Sequence, residues 1–210
     1  MLDDSTPAIR PGLVHLGAAE YHADPCPEPA LSSTLAKLLV SKTPRHAWLA
    51  SPRLNPDFVS TDSKAFDIGR AAHRVILGDG EDWEMIPAEL LSADGGVRTK
   101  EAKAHVEDIR ARGLTPLKPA EVADLELMAA AAQESLRALG IELRPQSSEQ
   151  AVIAQIDGVW CRALVDNAPS SGPFLFDLKT TTDASPSAVA RAVATYGYDV
   201  QAAHYLDTWK

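Results

Sequence analysis

The tripeptide Asp177-Leu-Lys179 places an acid and a base two positions apart within the apolar segment of residues 174–180, FLFDLKT. Because side chains alternate between the two faces of a β-strand, we expect Asp177 and Lys179 on one face, with the phenylalanines and Leu178 directed into the core on the other. Charges on a mostly buried strand are costly unless a partner or a ligand offsets the burial. Taken alone, the tripeptide favours an ion pair at a strand end over a catalytic pair.

A second acidic side chain, Asp166, ends the alternating segment of residues 159–166, VWCRALVD. The turn that follows would let Asp166 and Asp177 converge, and two convergent carboxylates suit a hard divalent cation such as Mg²⁺ or Mn²⁺. Hydrolysis of a phosphodiester uses such a cation to activate water and to offset charge on the leaving oxygen. A nearby lysine orients the water or stabilises the developing anion. A turn-forming role for Asp166, which precedes Asn167, stays open.

A histidine, His73, lies in a helical pattern over residues 67–77. The apolar residues recur there at the spacing of one helix face, namely Ile68, Ala71, Ala72, Val75 and Ile76. His73 is therefore either a core histidine or a metal ligand supplied by a helix. Arg70 and Arg74 flank it, and they either contact phosphates or belong to a solvated face.

Helical periodicity dominates the chain up to residue 140. The pattern predicts four further helices: one that begins at Ser32 or Ser33 and ends before Pro44, a short one around Trp48, and two over residues 99–112 and 119–139. Gly140 is a natural residue to follow the last of these. Residues 78–98 are loop-like, and residues 1–30, rich in proline and acidic residues, are interpreted as an arm with turns.

Beyond residue 140 the pattern changes to the alternation typical of strands. Strands are predicted over residues 149–156, 159–166 and 174–180, with a hairpin turn at Asp157-Gly158 between the first two. Two helices follow, one from Ser185-Pro186 to Ala194 and one from about Asp199. The helical pattern runs to the last residue, which leaves a C-terminal truncation open.

These elements define an α/β (α+β) fold, with a mixed, mainly antiparallel sheet flanked by helices and a helical N-terminal half. We expect an N-terminal arm over residues 1–30 and one domain over residues 31–210. Within that domain the helical part covers residues 31–140, and the sheet with the active-site core covers residues 145–210.

The bulk composition says little about partners. Among 210 residues, 29 are acidic and 20 are Lys or Arg, so the net charge is −9, whereas many nucleic-acid-binding proteins are strongly basic. No apolar run approaches the roughly 20 residues that span a bilayer, and the N-terminus lacks the features of a secretory signal. Cys26 and Cys161 are too few for a disulfide framework, which fits a reducing cytoplasm.

The order of these residues resembles the RecB-like nucleases of the PD-(D/E)xK superfamily, and most closely the exodeoxyribonuclease VIII group of the phage RecE type. The matching elements in chain order are Tyr21-His-Ala, Ile68-Gly-Arg-Ala-Ala-His73, Glu149, Cys161-Arg162, Asp166, Asp177-Leu-Lys179-Thr-Thr and Gln201-x₃-Tyr205. The resemblance covers about residues 20–208. Several motifs in the right order are far more specific than any one of them.

The resemblance implies a restriction-endonuclease-like core and a metal site. Asp166 and Asp177 correspond to the main ligands of Mg²⁺ or Mn²⁺, and His73 to an additional ligand. The backbone carbonyl of Leu178 would complete the shell, and Lys179 corresponds to the catalytic lysine. Asp177 departs from the superfamily pattern, in which Glu is commoner at this position.

The remaining matches have weaker support. Glu149 corresponds to an acidic position that would bind a water or a second metal ion, and a solvated strand start is the alternative. Gln201 and Tyr205 share one helix face, where the resemblance places contacts to DNA or to the lysine. Ordinary helix packing explains these two residues as well.

The resemblance implies an enzyme that degrades linear double-stranded DNA from an end with 5′→3′ polarity, in phage-type recombination. It also implies a single-strand annealing protein as a partner and a ring-shaped homo-oligomer. A helicase-linked or CRISPR-linked nuclease is an alternative, but several of those hold an iron–sulfur cluster with four cysteines, and two cysteines predict none here. A DNA-binding module with a decayed site is disfavoured because Asp166, Asp177 and Lys179 are all present.

Overall fold

The computed structural model describes residues 9–14, 16–59, 67–168 and 173–210. Its helices are α1 (Ala18–His22), α2 (Ser33–Ser41), α3 (Pro44–Leu49), α4 (Asp67–Leu77), α5 (Lys100–Ala111), α6 (Pro119–Ala138), α7 (Pro186–Tyr196) and α8 (Tyr198–Trp209). Its strands are β1 (Gly12–Val14), β2 (Leu31–Ser32), β3 (Trp83–Met85), β4 (Thr115–Leu117), β5 (Ser148–Ile156) and β6 (Val159–Asn167). The α+β class predicted from the sequence is confirmed.

The chain divides into two compact units. The first, here called the sheet unit, comprises residues 1–60, 150–165 and 181–210. The second, the helical unit, comprises residues 61–149 and 166–180. Among the helices that the structure describes, none combines the length and apolar character needed to cross a membrane.

The sheet unit is built on a four-stranded sheet in the order β1-β5-β6-β2. β5 and β6 form a hairpin through Asp157 and Gly158, which take φ values of 49° and 82°, as the predicted two-residue turn requires. β1 pairs antiparallel with β5, whereas β2 pairs parallel with β6. The sheet is therefore mixed and mainly antiparallel, as expected. A small core of Cys26, Ala30 and Ile153 packs within this unit.

The helical unit has a core between α4 and α6. It consists of Ala71, Ala72, Ile76, Leu117, Leu125 and Ala129, with Leu178 packed against it. The bounds of α4 agree with the apolar periodicity, and the capping Glu121 accepts a hydrogen bond from the Lys118 backbone N–H at 2.8 Å at the start of α6. Gly140 follows α6 with φ 68°, a conformation that favours glycine.

The predicted strand over residues 174–180 is wrong. Only an isolated antiparallel bridge between Asn167 and Phe176 forms, with N–H···O distances of 3.1 and 2.8 Å. The ladder does not continue because the next available backbone donor, the Leu178 N–H, is bonded to the Asp166 side chain at 2.6 Å. Leu178 packs against the core, as predicted for this face of the segment. Phe174 was also expected in the core, but it is 39% exposed.

The sequence patterns did not predict four short strands, namely β1, β2, β3 and β4, or the short helix α1. β3 and β4 pair in parallel, although residues 78–98 were expected to be loop and β4 contains a proline without an N–H donor. The interpretation of residues 1–30 as an arm omitted β1 and α1. Elements of two to five residues are too short for a periodicity to be recognised, and the strands among them form by pairing with distant segments.

The core between α4 and α6 provides a test of the fold. We expect Leu125→Ala to lower the free energy of unfolding by about 2–5 kcal/mol, because a fully buried leucine leaves a cavity. Leu127→Ala is the matched control, since Leu127 lies on the same helix but is 72% exposed, against 1% for Leu125. Urea denaturation should separate the two variants, and equal midpoints would contradict this packing.

Candidate metal centre

Three side chains of the helical unit converge: His73 from α4, Glu149 from the start of β5 and Asp166 from the end of β6. His73 Nδ1 lies 2.9 Å from Glu149 Oε1, and His73 Nε2 lies 3.6 Å from Asp166 Oδ2. One potential ligand atom from each residue lies within 4.8 Å of the others. A nitrogen and two carboxylates in this arrangement can bind a divalent cation.

Asp166 is buried, with 6% of its surface exposed, and its Oδ2 accepts the Leu178 N–H. Burial raises the pKa of this carboxyl to about 6. The positive charge of His73 acts in the opposite direction, the negative charge of Asp177 raises the pKa further, and Lys179 lowers it. A buried carboxylate of this kind is best stabilised by a cation beside it.

His73 is held by its neighbours on both ring nitrogens. Burial works against its charged form, but the hydrogen bond with Glu149 and the negative charge of Asp166 outweigh burial, so its pKa is raised above 6.5. A hydrogen bond with the Leu178 backbone acts in the same direction. When the ring is neutral and Nδ1–H donates to Glu149, the Nε2 lone pair is left on the side of Asp166. A carboxylate that fixes the histidine ring in this way is common around metal ligands.

The backbone at Glu149 is strained, because this residue has φ 49° within a strand. Such a conformation costs a non-glycine residue about 1–3 kcal/mol and is found preferentially at functional sites. Sequence reasoning found Glu149 only through the family resemblance. Its contact with His73 joins residues 76 positions apart, which no local pattern could reveal.

Asp177 and Lys179 form an ion pair with each other. Asp177 is not one of the three residues whose ligand atoms lie within 4.8 Å of one another. Its charge nevertheless raises the pKa of Asp166, and the charge of Lys179 lowers it, so both act electrostatically on the centre. The roles of Asp177 as a ligand and of the Leu178 carbonyl remain predictions.

The other predicted site residues have different surroundings. Arg70 pairs with Asp67 at 2.6 Å, and Arg74 pairs with Asp82, so both guanidinium groups are already bound to carboxylates. Gln201 and Tyr205 lie on α8 in the sheet unit, where Gln201 is buried and accepts a hydrogen bond from Lys37 at 3.3 Å. Contacts of these four residues with DNA remain predictions.

An α+β fold with carboxylates on neighbouring strands and an Asp-x-Lys segment beside them defines a PD-(D/E)xK-like domain. The chain belongs to the family described as "PDDEXK-like domain of unknown function (DUF3799)", whose model matches residues 33–210. No curated protein and no solved structure matches the chain significantly. Membership of this superfamily indicates a nuclease-type function, and its nucleases are typically dependent on divalent metal ions.

The donor set fits a divalent metal ion. His73 and Asp166 would hold it through a ring nitrogen and a carboxylate oxygen, and Glu149 would orient the His73 ring. No cysteine takes part in the cluster that the described residues form.

The contact between Glu149 and His73 gives a graded prediction. We expect Glu149→Ala to weaken Mn²⁺ binding about 10- to 100-fold, because the imidazole ring is no longer oriented. Glu149→Gln should lose less, since its amide oxygen can still accept the bond from Nδ1. Isothermal titration with Mn²⁺ measures both variants. If Gln is as damaging as Ala, the charge of Glu149 matters more than its hydrogen bond, and direct ligation is indicated.

Proposed function

We propose that this protein is a divalent-metal-dependent exonuclease that hydrolyses linear double-stranded DNA from an end. The observation that carries the proposal is the convergence of His73, Glu149 and Asp166 within a PD-(D/E)xK-like domain. The resemblance of the motif order to the exodeoxyribonuclease VIII group supports the choice of exonuclease over nicking enzyme, as well as 5′→3′ polarity and a role in phage-type recombination.

The chain's own residues divide the work of hydrolysis. A cation bound by the cluster would supply positive charge to polarise a phosphodiester and to activate water. Asp166 would contribute the buried negative charge that retains the cation, and Glu149 fixes the ring of His73. Lys179 carries a charge close enough to lower the pKa of Asp166, and it can therefore offset negative charge on a nearby phosphate.

The test compares two DNA substrates of the same sequence. A linear duplex should be degraded in Mn²⁺ or Mg²⁺ and spared in EDTA, whereas a covalently closed, relaxed circle should persist under all conditions. Labels at the 5′ and the 3′ end report the polarity. Rapid cleavage of the closed circle would contradict the exonuclease assignment and leave an endonuclease of the same superfamily. Persistence of both substrates with every divalent metal would contradict nuclease function altogether.

A further inference from the structure

One segment of this acidic chain has no acidic residue. Between Glu28 and Asp57 the sequence contains no Asp or Glu, but it contains Lys37, Lys42 and Arg45, together with Arg53. The whole chain has a net charge of −9, whereas this segment carries a net positive charge. It forms β2, α2 and α3 of the sheet unit.

The positive charge is concentrated where α2 ends and α3 begins. Residues 41–46 of this connection are all exposed, and we refer to them as the basic corner. Within the part of the chain that the structure describes, neither Lys42 nor Arg45 of the basic corner forms an ion pair. Arg70, Arg74 and Arg110, in contrast, are all bound to carboxylates. The charges of the basic corner are therefore available to an anionic partner.

The arrangement of the basic corner is fixed before any partner binds. The Arg45 guanidinium lies over the Trp48 ring, 4.3 Å from its centroid. The Thr43 hydroxyl and His46 Nδ1 are hydrogen-bonded at 2.8 Å. An arginine held against an aromatic ring loses less conformational entropy on binding a phosphate than a free one does.

Helix electrostatics do not explain this placement. Lys42 at the end of α2 is favoured by the helix dipole, but Arg45 lies in the first turn of α3, where the dipole disfavours a cation. A solvated surface would also accommodate acidic residues, which are otherwise frequent in this chain. The helix dipole therefore does not account for Arg45, whose contact with the Trp48 ring holds the guanidinium at the surface.

We propose that the basic corner binds the phosphate backbone of DNA. The identity of the ligand rests on the proposed nuclease function. A chain of net charge −9 repels DNA as a whole, so association requires positive charge concentrated on one surface. Lys and Arg bind phosphates without reading sequence, so this surface contributes affinity for any DNA sequence.

The test measures binding of a fluorescent duplex by anisotropy in EDTA, which prevents cleavage, over a series of KCl concentrations. The double variant Lys42→Ala/Arg45→Ala should raise Kd about tenfold or more near 0.1 M salt. The slope of log K against log salt should become shallower by about 2, since each phosphate contact contributes about 0.9. Arg45→Lys keeps the charge and should retain most of the affinity.

The matched control is Lys100→Ala/Lys103→Ala, which removes two exposed lysines from α5, a helix that also carries Glu101, Glu107 and Asp108. This control changes the net charge equally and should leave Kd unchanged. Circular dichroism melting should agree among all variants, because the replaced side chains are exposed. Equal loss of affinity in both double variants would overturn the proposal, since net charge alone would then explain the effect.

The remaining outcomes separate this inference from the proposed function. If the wild-type protein binds and degrades DNA but Lys42→Ala/Arg45→Ala binds as tightly, the basic corner is not the contact surface and only this inference is overturned. If the wild-type protein neither binds nor cleaves DNA, both proposals are overturned. Binding of phosphatidylserine vesicles that depends on Lys42 and Arg45, with unchanged DNA binding, would assign the surface to an anionic membrane and also overturn the inference.

Discussion

Asp166→Asn is expected to abolish both Mn²⁺ binding and DNA cleavage. The substitution removes the buried negative charge of the cluster but keeps the shape of the side chain and an oxygen that can accept the Leu178 N–H. Loss of the cation removes several kcal/mol of transition-state stabilisation, so the cleavage rate should fall by about 1000-fold or more. Calorimetric Mn²⁺ titration and a single-turnover cleavage assay measure the two effects separately.

The stability of this variant distinguishes loss of function from misfolding. The pKa of Asp166 is raised from 3.8 to about 6 by burial, so folding favours the protonated form. The carboxyl therefore destabilises the fold increasingly as pH rises from 3.8 to about 6, and at neutral pH this destabilisation is fully present. In EDTA at neutral pH, Asp166→Asn should melt at the same or a higher temperature than the wild type. A lower melting temperature would mean that the variant is structurally damaged.

Lys179→Ala is expected to lose most of the cleavage rate while Mn²⁺ binding persists. A lysine cannot ligate the cation, so the carboxylates and His73 remain in place when it is removed. Its contribution belongs to the transition state, where loss of one preorganised charged group costs about 10²–10³ in rate. Single-turnover cleavage at saturating Mn²⁺ should therefore fall by this factor.

The control for Lys179→Ala is Lys210→Ala, which also removes a lysine paired with a nearby aspartate, Asp207. This variant should cleave DNA at the wild-type rate. If Lys179→Ala also cleaves at nearly the wild-type rate, then Asp177-Leu-Lys179 is not the catalytic motif and the proposed mechanism is wrong.

The parts of the fold that the sequence predicted are those fixed by local patterns. The helix α4 has the bounds that its apolar periodicity indicates, and the Asp157-Gly158 turn joins the hairpin as predicted. The predicted strand over residues 174–180 failed because alternation alone does not supply a pairing partner. In the folded chain the Asp166 carboxylate accepts a hydrogen bond from the Leu178 N–H, which would otherwise be available to a neighbouring strand.

The candidate site was predictable as a set of residue types but not as a geometry. His73 and Asp166 could be singled out from a helix and a strand pattern together with the motif order. Their convergence with Glu149 depends on contacts between distant segments and on a positive φ at Glu149, neither of which leaves a local signal. Conversely, the ion pair of Arg74 depends on Asp82, which lies beyond the helix and which the helix pattern does not reveal, whereas Arg70 and Asp67 are a local pair three positions apart.

The hairpin of β5 and β6 also sets the spacing of the metal centre by residue count. Glu149 lies eight positions before Asp157, and Asp166 lies eight positions after Gly158, so the two acids are equidistant from the turn along the chain. A change of one residue in a β-ladder moves every following side chain to the other face. A one-residue slip in the pairing of β5 with β6 would therefore turn one of the two acidic side chains away from the other. The pairing of these strands consequently matters to the centre as much as the identity of its acidic residues.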